Sequence, residues 1–347
     1  MKNEKSRIGS VWAVKVFVTA LMASAVVVPI GAAIGADAVV IRAIAAWPVS
    51  CDCVVMYMKY IQEVNKRGKG RVQIRFLGGP EVTPAFEQFQ ALRTGIADLT
   101  HTAPSYFAGE TVEGSAMDLI DPVDLRKYLK ALRETDALRI INRAYEEKSS
   151  THYLGVTVGG TGFRFLMAKP IKNLDDLRGM RIRVFGSQGA KAVQYFGASP
   201  QTIAANELYT ALQRGVVDGA IRAPNDAWSF GERDVYKTMV NPPLQLSAGG
   251  LFIATRLWSK LPRDVQDLLS QTAIEYEPKV LDYYAQQDQK AIENLEKNGM
   301  KIVEVGANGK KKLDEARNAY WDEILAKSPK YGAQLRKVLE PHTRSGG

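Results

Sequence analysis

Three arginines in the middle of this 347-residue chain fall at or near strand ends: Arg164 in "GGTGFRFLM", Arg183 in "GMRIRVFG" and Arg222 in "VVDGAIRAP". A guanidinium keeps its charge in a protein and offers a planar fork that grips a carboxylate through two parallel hydrogen bonds. Side chains alternate along a strand, so Ile182 and Val184 share one face while Arg181, Arg183 and Phe185 share the other. A buried arginine on such a face must meet an anion. That anion is either a carboxylate of the protein or a ligand from outside. Ligands of open α/β sheets bind beyond the carboxyl ends of the strands, which is where these arginines lie.

Other chemistry is scarce. "FGSQG" places Phe185 where a nucleophile elbow needs its first glycine, and "GGTGF" lacks the spacing of a dinucleotide loop. His101, His152 and His342 are far apart, and no zinc or calcium pattern is present. The pattern therefore implies no catalytic residue, no metal and no cofactor. The two cysteines, Cys51 and Cys53 in "SCDC", leave two readings open: a strained disulfide in an oxidising compartment, or thiols packed on a helix.

The N-terminus bears on that compartment. "MKNEKSRIGSVWAVK" is basic and polar, "VFVTALMASAVVVPIGAAIGA" is apolar, and "ADA" at 36–38 has the spacing of a signal-peptidase site. This three-part layout predicts a cleaved secretory signal peptide over 1–38, with an uncleaved anchor as the rival. Its removal takes four Lys/Arg and two Asp/Glu, lowering the formal charge from +9 to +7. Basic residues are interspersed with acidic ones, and "GKKK" (309–312) is the only tight run. That distribution argues against nucleic acid and fits a small anion at least as well.

The elements that must position the arginines read as alternating strands and helices: "VVIRAIAA" (39–46), "CVVMYMKYIQEVNKR" (53–67), "RVQIRFLG" (71–78), "AFEQFQALRTG" (85–95) and "IADLTH" (96–101). This order argues for βαβ units and parallel sheets. The second half echoes the first. "ALRTGIAD" (91–98) matches "ALQRGVVD" (211–218), each a helix closed by a glycine and followed by a short strand. Upstream, "GRVQIRF" (70–76) faces "GMRIRVF" (179–185). Two echoes in one order imply two α/β lobes with a cleft between them. Further on, one helix is expected from about Pro262, a long one over 279–299, a strand at "MKIVEV", an amphipathic surface helix at "KKLDEARNAYWDEILAK" and a loose tail at "PHTRSGG".

The stretch "DLRGMRIRV…FGASPQTIAANELYTALQRGVVDG" (176–219) resembles the solute-binding proteins of tripartite ATP-independent periplasmic (TRAP) transporters, the DctP-like family. Its spacing agrees over more than forty residues, and the likeness extends more loosely over about 39–330. The resemblance implies a bilobal periplasmic-binding-protein fold with a ligand cleft and a long helix spanning both lobes. It implies lobe I over 39–160 with about 248–287 returning to it, and lobe II over 161–247 completed by about 288–347. It further implies a non-enzymatic periplasmic protein that delivers an organic acid to the small and large membrane subunits of a TRAP permease. Arg183 matches the family's carboxylate-binding arginine and Arg164 a second arginine of the site.

Two departures concern selectivity. Many members read Gln-Glu-Asn-Pro where this chain reads "AIRA", so Arg222 replaces a ligand-contacting amide. A further cation points to a second acidic or strongly polar group on the ligand. Ala205 stands where sialic-acid-binding members carry an aromatic residue, which widens the pocket. Trp47, Phe163 and Phe185 offer apolar walls, while Glu207, Tyr209 and Asp218 read as mainly structural. Rival functions are an exported binding protein serving a signalling or scavenging route, and an exported hydrolase, which the missing nucleophile motifs oppose.

Overall fold

Short apolar strands separated by helices fold here into two mixed sheets. The computed structural model describes residues 38–118, 125–160, 162–245 and 248–343. The signal-peptide reading, Ala38 apart, lies outside the described residues. The strands are β1 (Val39–Ala45), β2 (Val72–Gly78), β3 (Leu99–Thr102), β4 (Thr151–Gly159), β5 (Arg164–Met167), β6 (Arg181–Val184), β7 (Ser199–Thr202), β8 (Gly219–Arg222), β9 (Thr238–Asn241), β10 (Ala248–Ala254) and β11 (Lys301–Glu304). One sheet has the order β2-β1-β3-β10-β4 and the other β11-β9-β5-β8-β6-β7.

The sheets share a plan. In the first, β1 is parallel to β2 and β3, and β10 runs antiparallel to β3 and β4. In the second, β6 is parallel to β7 and β8, and β5 runs antiparallel to β8 and β9. The repeated Ala-Leu-x-x-Gly segments sit at equivalent places. Gly95 and Gly215 take φ of 80° and 65°, left-handed values that favour glycine, and β3 and β8 follow.

Each repeat then ends in an aspartate that performs the same task. Asp98 accepts hydrogen bonds from the backbone N, Nε and Nη2 of Arg42 at 3.0, 2.8 and 3.0 Å. Asp218 accepts from the same three atoms of Arg181 at 2.9, 3.3 and 3.1 Å. Burial alone would raise the Asp218 carboxyl, but Arg181 and Lys169 outweigh it and hold it well below the usual range. The structural counterpart of β6 is therefore β1 with Arg42, not the β2 segment "GRVQIRF" that the sequence echo selects. β2 corresponds to the edge strand β7. The echo misleads because the pattern that matters is an Arg–Asp bond spanning 56 residues in one lobe and 37 in the other.

The chain passes from the first sheet to the second after β4, returns for β10, and crosses again along one continuous helix, Arg263–Lys297, to reach β11. The sequence reads this stretch as two helices, one from about Pro262 and one over 279–299. In the fold the helix continues through Pro278 and packs on β4, on the helix Val55–Arg67 and on the helix Pro224–Ser229. That tertiary packing outweighs the hydrogen bond a mid-helix proline removes. At about 50 Å for 35 residues, the helix is long enough to contact both sheets. The C-terminal helices Gly306–Lys327 and Pro329–Thr343 follow, so Pro341–Thr343 of the expected tail are helical and 344–347 lie outside the described residues.

The core beneath the first sheet resolves the cysteine question: Cys51 and Cys53 form a disulfide. The carbonyl of Cys53 accepts a hydrogen bond from His101 Nε2 at 3.0 Å, so Nδ1 accepts from Thr157 Oγ1 at 2.6 Å. The fully buried imidazole stacks on Tyr57 and meets the edge of Trp47, both with centroids 4.8 Å away. Burial pushes its pKa down to about 3. The unfolded chain protonates this ring near pH 6.5 and the folded chain only near pH 3. Stability is therefore complete above pH 6.5, and up to about 4–5 kcal/mol is lost as pH falls through that window. Denaturant titrations at pH 7 and pH 4 should show a smaller pH-dependent loss for His101→Gln than for the wild type. Identical losses would contradict this assignment.

Candidate functional site

Four parallel strand ends from the two sheets converge on one cavity, with about 590 Å³ of empty space including its mouth. Trp47 follows β1, Ala103 and Tyr106 follow β3, Arg183 and Phe185 end β6, and Arg222 and Ala223 end β8. The helix Pro224–Ser229 adds Asn225 and Asp226, and the long helix adds Tyr284 and Asp288. Carboxyl ends of parallel strands leave the chain turning away, which opens space for a ligand.

One wall is aromatic. Phe163 and Phe185 have centroids 4.8 Å apart, Phe185 and Tyr106 6.3 Å, and Tyr106 and Trp47 6.0 Å. Trp47 Nε1 donates to Tyr106 Oη at 3.2 Å, which fixes both rings. Trp47 and Phe185 are also members of the surrounding core. Packing and wall are thus the same residues seen from two sides.

The arginines of the strand ends divide by how their charge is met. Arg181, at the start of β6, is bound by Asp218. Arg222 is gripped by Glu232, Nε to Oε2 at 3.1 Å and Nη2 to Oε1 at 2.7 Å, while Tyr236 Oη donates to the same carboxylate at 3.1 Å. Its guanidinium also lies 4.5 Å from the centroid of Phe230. Burial works against the charge of Arg222, but Glu232 and Asp226 outweigh it and raise its pKa.

Arg183 is different. It is 1% exposed, and its Nε and Nη1 donate only to the backbone carbonyls of Ile203 (2.9 Å) and Ile221 (3.3 Å). No carboxylate lies within salt-bridge distance of it among the described residues. Burial lowers its pKa, and the nearby charge of Arg222 lowers it further. The ring of Phe185, 5.2 Å from its Cζ, gives a weak cation–π contact that does not neutralise the charge.

The remaining sequence candidates fall close to the cavity but outside its wall. Arg164 opens β5 rather than ending a strand, and it reaches the cavity side only because β5 runs antiparallel to β8, in register with Arg222; it is buried and donates from Nη1 to the Gly162 carbonyl at 2.9 Å. Burial lowers its pKa, opposed by the charges of Asp288 and Glu304. Ala205 is buried in the core and does not line the cavity. Sequence reasoning did not select Tyr106, Asn225, Asp226 or Glu232. Asp226 had a signal: it follows Arg222 by four residues and sits in the first turn of a helix begun by Pro224. Glu232 had none, because only the fold brings it back onto Arg222.

Because Arg222 and Glu232 are both buried, removing one charge strands the other. Glu232→Gln should cost about 3–5 kcal/mol of unfolding free energy in urea, without any ligand present. A loss under about 1 kcal/mol, the size of an exposed pair, would contradict the account of this bond.

Comparison with known proteins places this geometry. The model of the family described as bacterial extracellular solute-binding protein, family 7 (DctP), matches residues 56–328. A solute-binding protein of Albidiferax ferrireducens is 26% identical over 276 residues, spanning 78% of this chain and 80% of its own length. The crystal structure of a TRAP periplasmic solute-binding protein from Desulfovibrio salexigens, with bound orotic acid, superposes with a TM-score of 0.80 at 22% identity, covering 88% of this chain and 98% of the other. DctP7 of Bordetella pertussis, an extracytoplasmic solute receptor binding pyroglutamic acid, gives a TM-score of 0.78 at 16% identity, covering 87% and 100%. At these identities the structures share the fold.

Proposed function

The chain belongs to the DctP family of bacterial extracellular solute-binding proteins, and from that premise we propose that it captures a small carboxylate-bearing solute in the periplasm and delivers it to a TRAP permease. The observation that carries this reading is the charge of Arg183, buried at a strand end in the cavity with only two carbonyls to answer it. A guanidinium so placed is costly by itself and becomes favourable when a carboxylate shares its burial. The relatives that hold orotic and pyroglutamic acids support the ligand class, since both are carboxylic acids.

Ligand capture proceeds by closure of the two lobes: the open form admits the acid, contacts from both sheets bury it, and the closed form is the one that the small and large membrane subunits accept. Both sheets contribute to the cavity wall, so a bound solute gains contacts from each and shifts the equilibrium toward closure. Arg183 holds the carboxylate, Arg164 reinforces the local positive field, and the aromatic wall takes the apolar part of the solute. Arg222 acts through Glu232 by keeping that end of the cavity rigid.

The test is a thermal-shift screen of residues 39–347 against organic acids, followed by titration of the best ligand with Arg183→Ala. Saturation at a hundred times the dissociation constant should add about 2.7 kcal/mol of stability. The substitution should weaken binding by about 3–5 kcal/mol, on the order of a hundred- to several-thousand-fold. A loss below about tenfold, or about 1.4 kcal/mol, would remove Arg183 from the central position.

A further inference from the structure

Asp226 stands in the cavity wall with its carboxylate poorly answered by the protein. The nearest cation is Arg222 Nη1 at 3.6 Å, beyond hydrogen-bond reach. Nε and Nη2 of that guanidinium are engaged by Glu232. No donor hydrogen-bonds the Asp226 side chain among the described residues, although the residue is mostly buried. Beside it, the backbone N of Asn225 donates to Asp288 at 3.0 Å, while its buried side-chain amide makes no hydrogen bond to a described residue. A carboxylate facing a cavity without a protein donor is met there by water, and shedding that water on ligand burial is costly unless the ligand brings a donor of its own.

Charge balance sharpens this. Arg183 and Arg222 are matched in number by Glu232 and Asp226, and Asp288 adds a further carboxylate to the wall, so the cavity is not short of negative charge before any ligand enters. A solute with one carboxylate adds one negative charge, whereas a dicarboxylate adds two beside a carboxylate already present. Like charges in such a space repel strongly. The second acidic group that a third arginine implied from sequence therefore has no partner here, because Glu232 already occupies Arg222.

We infer that Asp226 is a specificity-determining residue, and that the solute is a monocarboxylic acid bearing an N–H or O–H donor that meets Asp226 while its carboxylate meets Arg183. This rests on the carboxylate-capture reading above. Asn225, adjacent to Asp226, offers both a donor and an acceptor to the same polar edge of the solute. The aromatic wall of Phe163, Phe185, Tyr106 and Trp47 covers the rest, which suits a ring-bearing or otherwise compact body. Burial raises the Asp226 carboxyl against the pull of Arg222 and Arg183, and a ligand donor would favour its ionised form.

The experiment is calorimetric titration of the folded protein with acids paired by the presence of a donor: pyroglutamate and proline against cyclopentanecarboxylate, mandelate against phenylacetate, lactate against propionate, with glutarate as the dianion. Donor-bearing members should bind about ten- to a hundred-fold tighter than their partners, the worth of one hydrogen bond to a charged group. In Asp226→Ala that preference should shrink to within about threefold, with the donor-less acids little changed. Asp226→Asn, which keeps the shape should the alanine variant fail to fold, should narrow the preference and let glutarate bind. Equal binding within the pairs, or a preference that survives in both variants, would overturn the inference. If acids bind in an Arg183-dependent way without donor preference, the inference fails and carboxylate capture stands. If no carboxylate binds the folded wild type, both fail.

Discussion

A guanidinium that is 1% exposed and answered only by two backbone carbonyls is the constraint around which the rest of this molecule is arranged. Burying an ion costs several kcal/mol unless an opposite charge shares the site. The protein could have supplied that charge, as it does for Arg222 with Glu232 and for Arg181 with Asp218. At Arg183 no carboxylate is in contact: near the end of β6 the fold gives this guanidinium two carbonyls directly and the charge of Glu232 only from a distance. Two carbonyls orient the fork, Phe185 lies over it, and the neighbouring Arg222 is tied to Glu232.

The surrounding packing comes from a frame used twice. In each lobe an arginine on the central parallel strand, Arg42 or Arg181, is bound through backbone and side chain by an aspartate just before the next strand, Asp98 or Asp218. Each bond ties the start of β3 or β8 to its parallel neighbour, at the middle of β1 in one sheet and the start of β6 in the other, away from the cavity at the C-terminal ends. Arg256 adds a fourth donor to Asp98 at 2.6 Å, and Lys169 one to Asp218 at 2.7 Å. With the opposite ends so fixed, the strand ends facing the cavity hold their side chains on rigid elements, which is what a preorganised site requires. The long helix Arg263–Lys297 then links the frames by packing on elements of both.

Much of this was legible in the chain. Strand–helix alternation, the two Ala-Leu-x-x-Gly-x-x-Asp segments and the family likeness gave two α/β lobes with a cleft, and the alternation of "RIRV" singled out Arg183. What escaped was long-range. The counterpart of β6 was read as β2 because both follow a glycine and carry arginine, whereas the fold matches β6 with β1 through bonds to distant aspartates. Glu232 carries no local mark of its role, since it reaches Arg222 only through a turn and a short helix. Arg164, singled out by its place at a strand end before any likeness, and Ala205, placed by likeness alone, both lie beside the cavity wall rather than in it. The division of the long helix near Pro278 is absent from the fold, where one continuous buried stripe runs from Val265 to Leu295.

The central claim is that the buried charge of Arg183 exists for a ligand's carboxylate. Its most direct test is a crystal structure of residues 39–347 with a bound organic acid. The account predicts carboxylate oxygens within about 2.7–2.9 Å of the Arg183 guanidinium, the distance of a charge-assisted hydrogen bond, with the Arg222–Glu232 pair intact. A carboxylate seated on Arg222 with Glu232 displaced, or an acid bound with Arg183 still facing only carbonyls, would contradict it.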